Sequence, residues 1–224
     1  MQGVITRGLI AIHGLVRGHP QIRASLASIV NRSVGEKRVN AAILELTRPG
    51  DVVWDVGANI GIYTRRFLER VGEPGHVVAV EPVPCNAAQL RGLSAPEQLT
   101  VVEAALASSD GRVPLVVSGQ SGETSSIGEG SGALTVRAAR GDTLLDEGLP
   151  QPQIIKIDVE GYEGDVLDGM PAVLQGARSV IVEVHFAALA RRGRPREPLQ
   201  LLALLRRHGF NPRWVDSSHL VALH

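Results

Sequence analysis

The sequence predicts an α/β fold with a mostly parallel central sheet, helices on both faces and an antiparallel hairpin at its C-terminal end. Three observations carry that prediction. From Asp51 onward, short β-branched runs alternate with helix-like stretches. The runs are apolar throughout rather than alternating, as strands covered on both faces are. The rhythm then ends in two strand-like runs joined by a Ser-Ser turn, Asn211–Asp216 and His219–Leu223.

The elements follow in order. Residues 1–48 read as a helical N-terminal appendage, in which Ile5, Leu9, Ile12 and Val16 fall at helical spacing. Its apolar run Gly8–Val16 is interrupted by His13, lacks a small-x-small cleavage pattern and is too short to span a bilayer. Residues 49–224 form the main domain. It opens with a strand at Val52–Val56, a helix at Ile60–Val71, a strand at Val77–Val80, a helix at Pro84–Leu93 and a strand at Leu99–Glu103. An insertion follows, in which strand candidates Arg112–Val117 and Ala133–Arg137 flank a Gly/Ser-rich loop, Ser118–Gly132. Strands at Ile154–Val159 and Ser179–Val184 resume the series, with Gly161 opening a helix between them. A Leu-rich helix, Leu199–Arg207, stops at Gly209 with basic residues in its last turn.

Composition narrows the functional classes. Of 224 residues, Lys+Arg and Asp+Glu number 23 each, which gives no electrostatic reason to expect nucleic acid or an anionic membrane as partner. Aromatics make up 3%, too few for single-strand stacking platforms. Cys85 is the single cysteine, so no internal disulfide forms, in keeping with a reducing cytoplasm.

Four segments carry chemistry. The first, DVVWDVGANIG (residues 51–61), is a strand–turn–helix unit. Gly57 and Gly61 let the backbone turn and approach a ligand, and Asp55 sits near the strand's carboxyl end. Asn59 stands where a dinucleotide fingerprint needs its middle glycine, and an acid two residues before the turn suits a cation better than a pyrophosphate. The methionine end of S-adenosylmethionine is such a cation. The second is Glu81, placed to accept the two hydroxyls of a ribose. In the third, IIKIDVEGYEGDVLDG (154–169), Lys156, Asp158 and Glu160 alternate on one face of a strand. Three charges on a buried face point to pairing or catalysis. The fourth, VEVH (182–185), brings Glu183 and His185 to the same crevice, with His185 a base near neutral pH. No spacing specifies a metal site.

In order, DVGANIGIYT, EPVPCN, ALASSDG, TSSI, KIDVEGYEGDVLDG and VEVH resemble the FkbM-family methyltransferases, from about Gly50 to His185. The resemblance implies a class I methyltransferase, Rossmann-like fold and methyl transfer from S-adenosylmethionine to an oxygen, typically a hydroxyl on a sugar, polyketide or other secondary metabolite. It places Asp55, Gly57, Asn59 and Gly61 along the methionine side, Glu81 at the ribose, Glu103 to Ala105 near the adenine and Asp158 at the amino-acid end or the acceptor. Residues 136–146 are looser than the family's Val-x-x-x-Thr-Leu-Asp run.

These readings give a mechanism. His185 or Asp158 takes the acceptor's proton, with Lys156 and Glu160 tuning the pair. Ser125 and Ser126 of the Gly/Ser loop shape the acceptor pocket. Arg194, among four arginines in residues 191–196, clamps an acceptor phosphate or carboxylate. A homo-oligomer is compatible with the N-terminal helix, which is free to cover the site or to pair with a second chain. Two alternatives stay open. A nicotinamide-dependent oxidoreductase needs a third glycine in the first turn, and a non-catalytic cofactor-binding subunit leaves the acidic crevice without a purpose.

Overall fold

A computed structural model describes residues 40–43, 45–95, 97–118, 124–127 and 133–224. The expected helix around Ile5–Val16, with most of the appendage, lies outside the described residues; residues 40–43 and 45–46 are helical. The strands are β1 (Val52–Val56), β2 (His76–Val80), β3 (Leu99–Val102), β4 (Ala105–Leu106), β5 (Gly111–Ser118), β6 (Thr124–Ile127), β7 (Leu134–Ala139), β8 (Ile154–Ile157), β9 (Ser179–Glu183), β10 (Asn211–Trp214) and β11 (His219–Leu223). Helices are numbered α1 (Ile62–Val71), α2 (Pro84–Arg91), α3 (Gly141–Asp146), α4 (Glu163–Asp168), α5 (Pro171–Gly176), α6 (Phe186–Arg191) and α7 (Glu197–Arg207).

Seven strands form one sheet in the order β10-β11-β9-β8-β1-β2-β3, all parallel except β11, which runs antiparallel between β9 and β10. Because side chains alternate along a strand, the central strands feed two apolar layers. Trp54, Val78, Ile155, Val180 and Leu220 face one layer with Val166 of α4, Leu174 of α5 and Leu205 of α7. Val53, Val77, Ile154, Ile181 and Val221 face the other, with Phe67 and Val71 of α1 and Ile43. Covering on both sides explains why these strands read as unbroken apolar runs. The buried Trp54 keeps its indole N–H satisfied by donating to the Pro150 carbonyl at 2.9 Å.

The insertion differs from expectation. Thr124–Ile127 is not loop: it pairs antiparallel with β5, Leu115 opposite Ile127 and Ser118 opposite Thr124, in a second sheet of order β4-β7-β5-β6. Pairing gives the β5 edge a partner for its backbone groups, and Thr124 and Ile127 are β-branched. A second difference bears on the site. Strand β8 stops at Ile157, so Asp158 and Glu160 leave the pleat and project from a turn instead.

Candidate active site

At the carboxyl end of β1, register sets Asp55 beside Lys156 of β8. Asp55 is fully buried; its Oδ2 accepts the Thr64 hydroxyl of α1 at 2.6 Å, and its Oδ1 lies 3.3 Å from Lys156 Nζ. Lys156, almost as buried, lies 3.3 Å from Asp158 Oδ2 as well. Burial alone would lower the Lys156 pKa, but Asp55 and Asp158 push it well above its usual value, so it stays an ammonium. Asp55 therefore points between sheet and α1 and not into the cleft, contrary to the expectation that it meets a cationic ligand directly. Its negative charge is neutralised by Lys156, which in turn anchors Asp158.

The cleft itself opens over the tips of β1, β2, β8 and β9, with an empty volume of about 910 Å³ including its mouth. Gly57, Asn59, Glu81, Ala105, Asp158, Glu160, Glu183 and His185 line it, as the sequence predicted, together with Asn86 and Tyr162. Gly57 has φ +77°, and a Cβ built on it would lie 1.9 Å from the Asp158 carbonyl oxygen. Only glycine fits where β1 and β8 close together. Asn59 is left-handed too, at φ 51°, a conformation asparagine tolerates.

This turn holds Glu81. The Asn59 backbone N–H donates to Glu81 Oε2 and that of Val83 to Oε1, both at 2.9 Å, while the Asn86 amide lies 3.4 Å from Oε1. Burial raises the Glu81 pKa, with the two backbone bonds working against it. The carboxylate is fixed at the cleft wall with lone pairs to spare for two hydroxyls. Beyond it, Ala104, Ala105, Leu106 and Leu115 supply an apolar wall suited to a flat base. Replacing Glu81 with glutamine puts an amide donor where one of the two oxygens accepts a backbone N–H, and is expected to weaken S-adenosylhomocysteine binding by about 10–100-fold on calorimetry, as loss of a charge-assisted hydrogen bond does.

Two residues expected along the cofactor, Gly61 on its methionine side and Glu103 near its adenine, lie elsewhere. Gly61 does not line the cleft; at φ +88°, it gives way to Leu90 of α2, 2.8 Å from where its Cβ would be. Glu103 points outward to Arg91 at 3.0 Å in an exposed pair.

At the other end of the cleft, four acidic side chains surround His185. Glu163, fully buried at the start of α4, accepts from the Gly161 N–H at 3.0 Å and meets His185 Nδ1 at 2.8 Å. That leaves His185 Nε2 3.6 Å from both Asp158 and Glu160. Burial would lower the His185 pKa, but Glu163, Asp158 and Glu160 raise it to about 9. The imidazole is thus charged at neutral pH in the free protein, where the sequence suggested a base already neutral there. Glu160 takes up a left-handed φ of 52°, rare for a non-glycine residue, and Gly161 follows at 93°. This double turn carries Glu160 back over the cleft.

Glu183 completes the cluster. His219 of β11 is set opposite it by register, its Nε2 3.3 Å from Glu183 Oε2 and its Nδ1 2.9 Å from Asp216 Oδ2. Burial would raise the Glu183 pKa, yet His219 and His185 hold it below the usual carboxylate value. Donor atoms of Asp158, Glu183 and His185 all lie within 4.8 Å of one another, a convergence that no sequence spacing revealed.

Arg194 is held away from the cleft. Arg194 donates to Asp165 at 3.0 Å and Glu197 at 3.3 Å, so its guanidinium braces α4 against α7 and is not free to clamp an anion. Ser125 and Ser126 lie on β6, opposite Val117 and Val116 of the second sheet. Sequence reasoning missed Glu163, His219 and Asn86 as supporting residues. Glu163 and Asn86 sit inside the quoted motifs, and an acid in the first turn of a helix was the available signal for Glu163.

Sheet order and the antiparallel β11 define the class I methyltransferase fold, with the ribose-type and acidic ends meeting in one cleft. The chain belongs to the FkbM methyltransferase family: residues 55–212 match the family described as "Methyltransferase FkbM domain". It is 34% identical over 154 residues to hexuronic acid methyltransferase AglP of Haloferax volcanii, covering 67% of this chain and 63% of that protein. The 2-O-methyltransferase NoeI of Sinorhizobium fredii is 26% identical, over 76% of this chain and 78% of its own. In fold, the chain resembles the crystal structure of methyltransferase FkbM from Methylobacillus flagellatus, with TM-score 0.54 and 16% identity, over 80% of this chain and 49% of that one. The chain thus spans somewhat less than two thirds of the AglP length and about half of the FkbM structure.

Proposed function

We propose that the chain methylates a hydroxyl group of a small-molecule acceptor, with S-adenosylmethionine as donor and His185 as the base. The observation that carries this reading is His185 Nε2 at the cleft surface, its other ring nitrogen fixed by the buried Glu163. The relatives support the acceptor class: one is named for a hexuronic acid and the other for a 2-O position.

The residues present suit the cofactor. Glu81 offers acceptors for ribose hydroxyls, the Ala104–Leu106 wall an apolar slot, and Asp158 with Glu160 and Glu183 negative charge for the cationic end. Bound there, the cofactor supplies a methyl group already activated on a sulfonium. The protein's work is alignment and proton removal. Lys156 holds Asp158, Glu163 holds His185, and the acceptor hydroxyl gives its proton to Nε2.

The pH dependence tests the base. A group whose pKa is raised to about 9 is protonated, and inactive as a base, below that value. kcat/KM therefore rises roughly tenfold per pH unit from neutrality and levels off near pH 9, because it reports ionisation of the free enzyme. A profile flat between pH 6 and 8 removes His185 from the role and leaves it to Asp158. The same measurement is made with a chelator and with added magnesium. Turnover independent of both is expected. A loss in chelator that magnesium restores assigns activation of the hydroxyl to a cation shared by Asp158, Glu183 and His185.

A further inference from the structure

Aromatic residues are scarce here, and all seven lie among the described residues: Trp54, Tyr63, Phe67, Tyr162, Phe186, Phe210 and Trp214. Trp54, Phe67 and Phe210 are core, and the two tyrosines are half-buried. Phe186 and Trp214 are 45% and 39% exposed, and they touch, with ring centroids 5.7 Å apart and planes inclined by 34°. A chain with so few large apolar rings to build its core leaves two of them side by side in water. Paired aromatic rings left in water are the kind of surface on which binding energy concentrates.

Its position indicates what it binds. Phe186 is the residue after His185 and the first of α6. Trp214 ends β10, whose carboxyl end lies on the same edge of the sheet as that of β9, because β11 runs antiparallel to both. Two backbone bonds hold that edge together: the Val215 N–H donates to the His219 carbonyl at 2.9 Å, and that of Val184 to Ser218 at 2.8 Å. Along the sheet edge the order is the Glu81 wall on the β2 side, then Asp158 and His185, then the aromatic pair on the β10 side. The pair thus flanks the base on the side away from the adenosyl wall.

We propose that Phe186 and Trp214 form the acceptor platform, on which a pyranose ring of the acceptor stacks with a hydroxyl turned toward His185. This rests on the methyl-transfer reading above and names its substrate class. A pyranose has one face of axial C–H groups and a rim of hydroxyls. The C–H face matches the electron-rich faces of the two rings. The rim hydroxyls match Glu160 and Glu183, which accept but do not donate. A wholly aliphatic acceptor would leave those carboxylates without partners.

The test uses a set of methyl hexopyranosides and methyl hexuronosides, with S-adenosylhomocysteine release as readout. Phe186→Ala and Trp214→Ala are expected to raise the acceptor KM about tenfold or more, leave S-adenosylhomocysteine affinity unchanged, and lower the melting temperature by no more than a few degrees, since neither ring belongs to the core. Trp214→Tyr restores most of the loss, and acceptor binding changes the emission of Trp214 while the buried Trp54 stays constant. Acceptor KM within twofold of the parent in both alanine variants overturns the platform and leaves methyl transfer standing. So does equal turnover of open-chain polyols, or turnover of macrocyclic alcohols but no pyranoside. A further overturning result is a Trp214 already shielded from acrylamide in the free protein, with the variants changing oligomeric state, which assigns the pair to a contact between copies. Cofactor binding without S-adenosylhomocysteine release from any hydroxyl acceptor overturns the methyl-transfer reading, and the platform with it.

Discussion

Replacing His185 with alanine is expected to lower turnover by about 10²–10⁴-fold, the usual worth of a positioned base, with cofactor affinity within a few-fold of the parent. The two effects separate because the site is divided. His185 contacts Glu163, Asp158 and Glu160, whereas the ribose-type end is held by Glu81 through Asn59, Val83 and Asn86. Truncation also strands Glu163, which is fully buried and whose Oε2 has no hydrogen-bond partner. Losing the imidazole from its other oxygen costs stability as well. Melting is therefore followed alongside kinetics, and His185→Gln supplies a variant with a polar group still able to reach Glu163. Both variants should bind S-adenosylhomocysteine on calorimetry and fail in turnover. If either turns over within twofold of the parent while folded, the base lies elsewhere in the cluster.

The second large effect concerns backbone alone. Gly57→Ala places a methyl group 1.9 Å from the Asp158 carbonyl oxygen at a φ of +77°, where alanine is strained even in open space. Strain and overpacking together cost about 2–5 kcal/mol. The neighbour is backbone of the segment that directly follows β8 and cannot swing aside as a side chain would. For a chain of this size that lowers Tm by roughly 4–20 °C. Any relaxation must part β1 from β8 next to Lys156, Asp158 and the cleft, so cofactor binding is expected to fail in the fraction that folds. Gly148→Ala is the control: φ is +99° there, but nothing lies within 4 Å of the added Cβ. A Gly57→Ala protein that melts and binds like the Gly148→Ala protein would falsify the close-approach argument.

The strands were legible in the sequence because each is covered on both faces, so its apolar run is unbroken. Direction was less legible. Asp55 and Glu81 both stand at strand tips, but strand position alone does not say which looks into the cleft. Thr64 of α1 draws Asp55 into the layer beneath, while Asn59 and Val83 turn Glu81 outward. The Lys156–Asp158–Glu160 alternation pointed to residues that do come together, but for a reason that only partly holds, because the strand ends at Ile157 and the double left-handed turn at Glu160 and Gly161 replaces the pleat. Arg194 read as available because its partners, Asp165 and Glu197, sit 29 and 3 residues away on different helices. His219 was invisible for the same reason, since it reaches Glu183 only once β11 is laid against β9.

That last pairing has a consequence for how the protein acquires its site during synthesis. The ribosome releases β1, β2 and β3 first, and these sequential parallel strands can close the Glu81 side of the cleft with α1 and α2. Strand β9 then waits with an open edge until residues 219–223 emerge, directly after β10. The half proposed to recognise the nucleoside is therefore available for early consolidation, whereas the half that holds Glu183 in register with His219 is completed by the last strand of the sheet to be made. A nascent chain stalled before His219 would carry a nearly finished nucleoside pocket beside an unpaired, aggregation-prone strand, a state that invites chaperone capture.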